Sequence, residues 1–209
     1  HGKSGGLGYW WHTPEDTVDK IDPEFLRRDT VIYTLLTYRL CSSAILPLDY
    51  GAVVDELKGV VGDLRAKAGD CFDLSPVAEK LAALGAALEK LQGRIIVLPA
   101  SRVSDEAARV VNRCLMELGR TLIPVNYTRT GQFDQDLAVP TQPLPGLQPA
   151  AKLSSMEKAS GERHFLITRL VRERNRVVHG IISATRAVEA ALRALEGGSQ
   201  ARGPGRLEV

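Results

Sequence analysis

Between Ser75-Pro76 and Gly93, the residues Val77, Leu81, Leu84, Leu88 and Leu91 recur at intervals of three and four without a miss. That spacing returns to one side of an α-helix at every turn, whereas a strand alternates its faces every second residue. An amphipathic helix has to bury its stripe against another apolar surface, so this segment commits the chain to layers built with helices. The rest of the sequence supplies partners of the same kind. Residues 51–68 carry Val53, Val54, Leu57, Val60, Val61 and Leu64 on one face and stop at Gly69. Ser104-Asp105-Glu106 caps a further helix with Ala107, Val110, Val111, Cys114, Leu115 and Leu118 inward. A long final helix over about 161–196 carries Leu166, Leu170, Val177, Ile181, Ala184, Val188, Leu192 and Leu195. Earlier, Asp22-Pro23-Glu24 combines an N-cap acid, a proline at the first helical position and an acid in the first turn. The helix it starts should run to about Leu46, before Pro47. Its residues Phe25, Leu26, Ile32, Leu35, Leu36, Leu40 and Ala44 leave little polar surface, so it is expected to be well buried.

The connections are less regular. Residues 1–8 are glycine-rich loop, and 9–21 an irregular aromatic-rich loop. Ile95-Ile96-Val97-Leu98 fits a strand and a buried connector equally well. Over 124–152, Pro124, Pro140, Pro143, Pro145 and Pro149 forbid long regular structure. Tyr127, Phe133, Leu137 and Leu144 are scattered through it, which predicts a connection that hugs the surface. Residues 197–209 are Gly- and Arg-rich and read as a disordered tail. There is no internal repeat of 20–50 residues.

Composition bounds the function classes. Aromatics are 5% of 209 residues, so the core is built from Leu, Val, Ile and Ala. A formal charge of +2 argues for no nucleic-acid partner. No apolar run approaches the roughly 18 residues of a membrane span. Cys41, Cys71 and Cys114 have no CxxC spacing and read as free thiols, not as a disulfide framework or a zinc knuckle. Gly2-Lys3-Ser4 suggests a phosphate loop, but Gly5, Gly6 and Gly8 follow where that motif needs a helix. Asn126-Tyr127-Thr128 matches a glycosylation acceptor, which has meaning only in a protein secreted from a eukaryote.

The residues that can carry chemistry are concentrated in Trp10-Trp11-His12-Thr13-Pro14-Glu15-Asp16-Thr17. Imidazole is a good zinc ligand, and apolar walls beside it exclude water. Thr13, Asp16 and Thr17 can hydrogen-bond the local backbone and order the loop. The competing reading is an ordinary turn with a surface histidine, since one histidine does not make a zinc site. Elsewhere, His164 and His179 lie on the polar side of the last helix, and His1 has no suitable neighbours.

Trp11-His12-Thr13-Pro14-Glu15-Asp16-Thr17, with Asp19-Lys20-Ile21-Asp22 after it, resembles the last metal-ligand segment of the zinc aminopeptidase superfamily. That family places His-Thr/Ser-x-x-Asp-Thr on a loop before a helix. The resemblance is specific over 9–22; beyond it, the outline is similar to the glutamate carboxypeptidase and transferrin-receptor branch. It implies that residues 1–49 are the end of an α/β zinc-peptidase domain, a ligand loop and a terminal helix. Residues 50–196 would then be a helical bundle acting as a dimerisation domain, and Tyr127 to Asp136 looks similar to a connection within it.

By the same resemblance His12 is a ligand to one of two zinc ions, and Tyr9, Trp10 and Trp11 line the substrate pocket with the Gly5-Gly6 loop. Trp11 departs from the tyrosine often found before the ligand, so that tyrosine's hydrogen-bonding role is not carried over. The other ligands, a second His, a bridging Asp, a further Asp and an acidic residue, are not assignable in this chain, nor is the general-base Glu. The reaction implied is hydrolysis of peptide substrates, with two zinc ions activating a water. The chain alone is expected to be inactive. A non-catalytic helical dimerisation module of the transferrin-receptor kind is the alternative, and an unrelated helical adaptor the third. The resemblance also implies a homodimer and a secreted or membrane-tethered protein.

Overall fold

The computed structural model describes residues 8, 10–97, 105–129, 136 and 141–200. Among them there are helices and no strand. The chain divides into two compact units, residues 1–47 and 48–209.

The first unit contains a short 3-10 turn, Val18–Lys20, and helix α1, Pro23–Ser42. The Asp22 carboxylate accepts from the N–H of Glu24 at 2.8 Å and of Phe25 at 3.3 Å, so two otherwise orphaned donors are satisfied at the N-terminus. The helix ends at Ser42, earlier than the Leu46 expected from Pro47 alone, and the Ser43 N–H closes on the Arg39 carbonyl at 3.1 Å. The expectation of burial is not met. No residue of α1 is buried; Ile32 is 55% exposed, Leu35 53% and Leu36 51%. The physical reason is that the described residues of 1–47 hold one long helix and the short turn Val18–Lys20, which is too small to cover it.

The second unit is a helical bundle. Helix α2, Tyr50–Ala68, starts where Asp49 accepts from the Ala52 N–H at 3.1 Å. It stops at Gly69, whose φ of 52° is cheap only for glycine. The chain turns through Asp73, whose carboxylate accepts from the Ser75 N–H at 2.8 Å, into α3, Ser75–Val97. The guanidinium of Arg174 lies over the Phe72 ring at 5.3 Å and donates to the Asp73 carbonyl at 2.9 Å, which pins this corner to the last helix. Val77, Leu81, Leu84, Leu88 and Leu91 are all buried, as their spacing requires. Helix α3 continues through Gly93, so residues 95–97 are its final turn, neither strand nor buried connector, and Ile96 is exposed. Leu98 and Ser104 lie outside the described residues.

Helix α4, Asp105–Tyr127, continues through Pro124. The proline sits in the last turn, and the end of the helix is held by the side chain of Arg176. Its Nη1 donates to the Pro124 carbonyl at 2.9 Å and its Nη2 to the Thr128 carbonyl at 3.5 Å, while Glu173 holds the guanidinium at 2.9 Å. The proline-rich stretch therefore begins inside a helix. It later forms a 3-10 segment, Gln148–Ser155, that packs on α2 and buries Ala150 and Leu153, with Leu144 and Leu147 buried just before it. Phe133, Leu137 and Pro140 lie outside the described residues.

Helix α5, Gly161–Gln200, packs along both α3 and α4, and α2 packs on α3. It runs on past 196, and the chain beyond Gln200 lies outside the described residues. Leu170, Val177, Ile181, Ala184 and Val188 of its stripe are buried. At Gly180 a Cβ would meet Val125 Cγ1 at 3.1 Å and the Thr121 carbonyl oxygen at 3.2 Å, so the absence of a side chain there lets α4 and α5 close up.

Candidate functional site

The loop ahead of α1 is held by its threonines. The Thr13 hydroxyl donates to the Trp10 carbonyl at 2.6 Å and accepts from the Glu15 N–H at 3.2 Å. Its main chain makes two more turns: its N–H donates to the Trp10 carbonyl at 2.9 Å, and its carbonyl accepts from the Asp16 N–H at 3.0 Å. Thr17 donates from its hydroxyl to the Glu15 carbonyl at 3.3 Å and to the Asp19 carboxylate. Asp16 enters this network through its backbone N–H. Lys20 bonds Asp19 at 2.5 Å, and this ion pair, followed by the Thr17 hydroxyl, lowers the Asp19 carboxyl below its ordinary value. The lysine leaves the loop's acids partly neutralised at its C-terminal end.

His12 occupies the left-handed region, with φ 63°. Histidine is found there more often than bulky residues but still infrequently. The turn is over-determined by the Thr13 bonds on either side of it, which is how such a conformation persists. Its imidazole stacks on the Trp11 indole, centroids 3.6 Å apart and planes 20° from parallel. Stacking takes one face of the ring and leaves its edge, where both nitrogens lie, directed away from the indole. His12 is exposed, Trp11 is 49% exposed and Trp10 is half-buried. Trp11 and His12 are thus brought together, and Trp10 is tied to the same turn through its carbonyl, which accepts from the Thr13 hydroxyl and N–H. Tyr9, Gly5, Gly6, His1 and the Gly2-Lys3-Ser4 piece lie outside the described residues.

As a donor set for zinc, the loop offers one accessible imidazole, of the right chemistry and with an aromatic wall. Among the described residues no group of three His, Cys, Asp or Glu side chains converges. His164 and His179 are exposed on α5.

Other motifs resolve differently. Asn126, the glycosylation acceptor, is 1% exposed. Its Oδ1 accepts from the Leu144 N–H at 3.2 Å, and its backbone carbonyl accepts from the same N–H at 3.1 Å. A buried amide that holds the chain return cannot meet a glycosylating enzyme in the folded protein. Cys41 is exposed, Cys71 half-buried and Cys114 buried. Burial pushes the Cys114 thiol up to about 11, so it stays protonated and unreactive. No helix among the described residues is long and apolar enough to cross a membrane.

One feature of the bundle surface has no counterpart in the sequence reading. An open groove of about 630 Å³ runs between α4 and α5, with Val110, Cys114, Ala187, Ala190, Ala191 and Ala194 along it. Glu106, Arg109, Arg113 and Glu117 of α4 edge it. The signal was available as alanines at 187, 190, 191 and 194, an i, i+3, i+4, i+7 set. Alanine tolerates both burial and exposure, so hydrophobic periodicity does not separate a groove floor from a core.

No protein-family model, curated protein or solved structure matches the chain.

Proposed function

We propose that the chain is the C-terminal part of a zinc-dependent exopeptidase, of aminopeptidase or carboxypeptidase type, with His12 as a ligand to one of two zinc ions. The observation that carries this reading is the pairing of an ordered, histidine-bearing loop with the helix directly after it. Over residues 30–38, α1 has no charged side chain, yet none of its residues is buried. A helix that is apolar or neutral all round belongs inside a larger domain. That is what the end of an α/β catalytic domain requires of the element after its last ligand.

In this reading the zinc, when bound, supplies Lewis-acid polarisation of the scissile carbonyl. The chain's own contribution is narrower. Thr13 fixes the turn that presents His12, and the Trp11 indole holds the imidazole plane and walls it from water on one face. Trp10 would extend that wall toward a peptide substrate, and Tyr9, outside the described residues, is assigned to the same pocket by the family resemblance alone. The bundle of residues 48–209 carries the homodimer contact.

Two measurements test the reading. The polypeptide preceding His12 in the whole protein should contain a His-x-Asp, a Glu-Glu pair and a further Asp in that order; a preceding sequence without them overturns it. In the whole protein, His12→Ala should lower bound zinc by about one equivalent and hydrolysis of aminoacyl-anilide or acylated-peptide substrates by more than about 100-fold. Residues 1–209 alone should show no hydrolysis. Chelator-sensitive activity from this fragment that disappears with His12→Ala would mean that it holds a complete site.

A further inference from the structure

We propose that the groove between α4 and α5 is the docking site of an acidic amphipathic helix from a partner protein. The floor sets the shape of the occupant. Ala187, Ala190, Ala191 and Ala194 form one strip along roughly two turns of α5, about 10 Å. Val110 and the buried Cys114 continue it onto α4. Methyl side chains let another backbone come close, and an elongated apolar recess between two helices matches the face of a third helix.

The rim sets the charge of the occupant. Arg109 and Arg113 stand one turn apart on the α4 side. Arg186 and Arg193 are exposed and seven residues apart on α5, and helical periodicity puts them on the side of the alanine strip away from α4. None of the four has an ion-pair partner among the described residues. The acids nearby are Glu106, Glu117 and Glu189, and Glu117 is already engaged by Arg120 at 3.3 Å. Two rows of unpaired guanidinium groups therefore border an apolar floor. A helix with a small apolar stripe and carboxylates on both sides of it is complementary in shape and in sign. A nucleic-acid backbone would gain nothing from a methyl-lined floor. A lipid surface is engaged by bulky apolar side chains that project, and this face recedes.

This inference is independent of the peptidase reading and can be tested on residues 1–209. The probes are three fluorescein-labelled amphipathic helical peptides of about 20 residues. They share one Ala/Leu stripe, and the flanking positions are all Glu, all Gln or all Lys. Fluorescence anisotropy should show the Glu peptide binding at least about tenfold tighter than the Gln peptide, with an affinity that falls as salt rises, and the Lys peptide weakest. Arg109→Glu with Arg113→Glu should weaken the Glu peptide by about tenfold or more, and Arg186→Glu with Arg193→Glu similarly. Ala194→Trp, at an exposed floor position, should fill the recess and remove binding of the Glu peptide while the thermal melt is retained. Equal binding of the three peptides, insensitivity to both arginine pairs, or tighter binding of a 20-nucleotide single strand or of phosphatidylserine vesicles than of the Glu peptide would overturn the proposal.

Discussion

Cys114 lies under the α4/α5 groove at 4% exposure, and its proton is held up to about 11 against an ordinary 9.0. The sign of the consequence follows from which state loses its proton first. Below pH 9 both the folded and the unfolded chain keep the thiol, and its contribution is fully present. As pH rises from 9 toward about 11, the unfolded chain ionises and the folded one does not, so stability falls. Tyr50, raised first by its own burial and then by the Cys114 charge, adds a loss of the same sign. Cys114→Ala should flatten the alkaline side of a stability-against-pH curve measured by denaturant unfolding, and an unchanged slope would show that the thiol is not its source. The same burial orders the thiols: Ellman's reagent should take Cys41 fast, Cys71 slowly and Cys114 only on unfolding. At this scale the sequence was informative about identity and silent about conformation. Trp11-His12-Thr13 announces an apolar wall beside an imidazole and a hydrogen-bonding hydroxyl, but nothing in it states that the two rings stack or that His12 adopts φ 63°, because those are imposed by the turn as a whole. The burial of Asn126 was not legible for a related reason: its motif concerns three residues, and its burial depends on Leu144, 18 residues further along.

The end of α4 depends on a side chain from another helix. Arg176 meets the carbonyls of Pro124 and Thr128, and Glu173 orients it. Arg176→Met keeps much of the stem and removes the donors. It should cost about 1–3 kcal/mol in urea unfolding, because the Thr128 carbonyl loses the guanidinium and the Pro124 carbonyl keeps only the Thr128 hydroxyl. Glu173→Gln should cost less, since it only loosens the guanidinium; equal costs would mean that the ion pair, not the carbonyl cap, is what matters. The existence and type of the elements were legible wherever one face is apolar and the other polar, as in α2, α3 and α5. Their ends were less so. Gly93 does not stop α3 and Pro124 does not stop α4, because packing on α5 outweighs local penalties of about 1 kcal/mol for glycine and about 3 kcal/mol for proline. Helix α1 shows the opposite failure. Its composition demanded burial, and the described residues of 1–47 do not provide it.

For the whole molecule, the two units pose different questions. Residues 48–209 have a shared core, and the homodimer expected of this bundle is open to direct measurement. Light scattering should give twice the chain mass at micromolar concentration, and a strict monomer at high concentration would remove the dimer from the functional reading. Residues 1–47 hold the histidine loop, and the sequence made that loop recognisable because its chemistry-bearing residues are contiguous. The groove arginines were not recognisable, since Arg109 and Arg193 come to border opposite sides of one alanine strip only through the pairing of α4 with α5. That pairing also fixes an order of events during synthesis. Helix α5 is the surface on which both α3 and α4 are completed, and it leaves the ribosome after the other described helices of the bundle. The α2–α3 pair can dock as it emerges, while α4 must wait with Val111, Leu115, Leu118 and Leu122 uncovered until residues 161–200 follow. Translation that pauses or terminates near residue 160 therefore leaves a sticky intermediate, and chaperone capture should peak when synthesis stands at that residue.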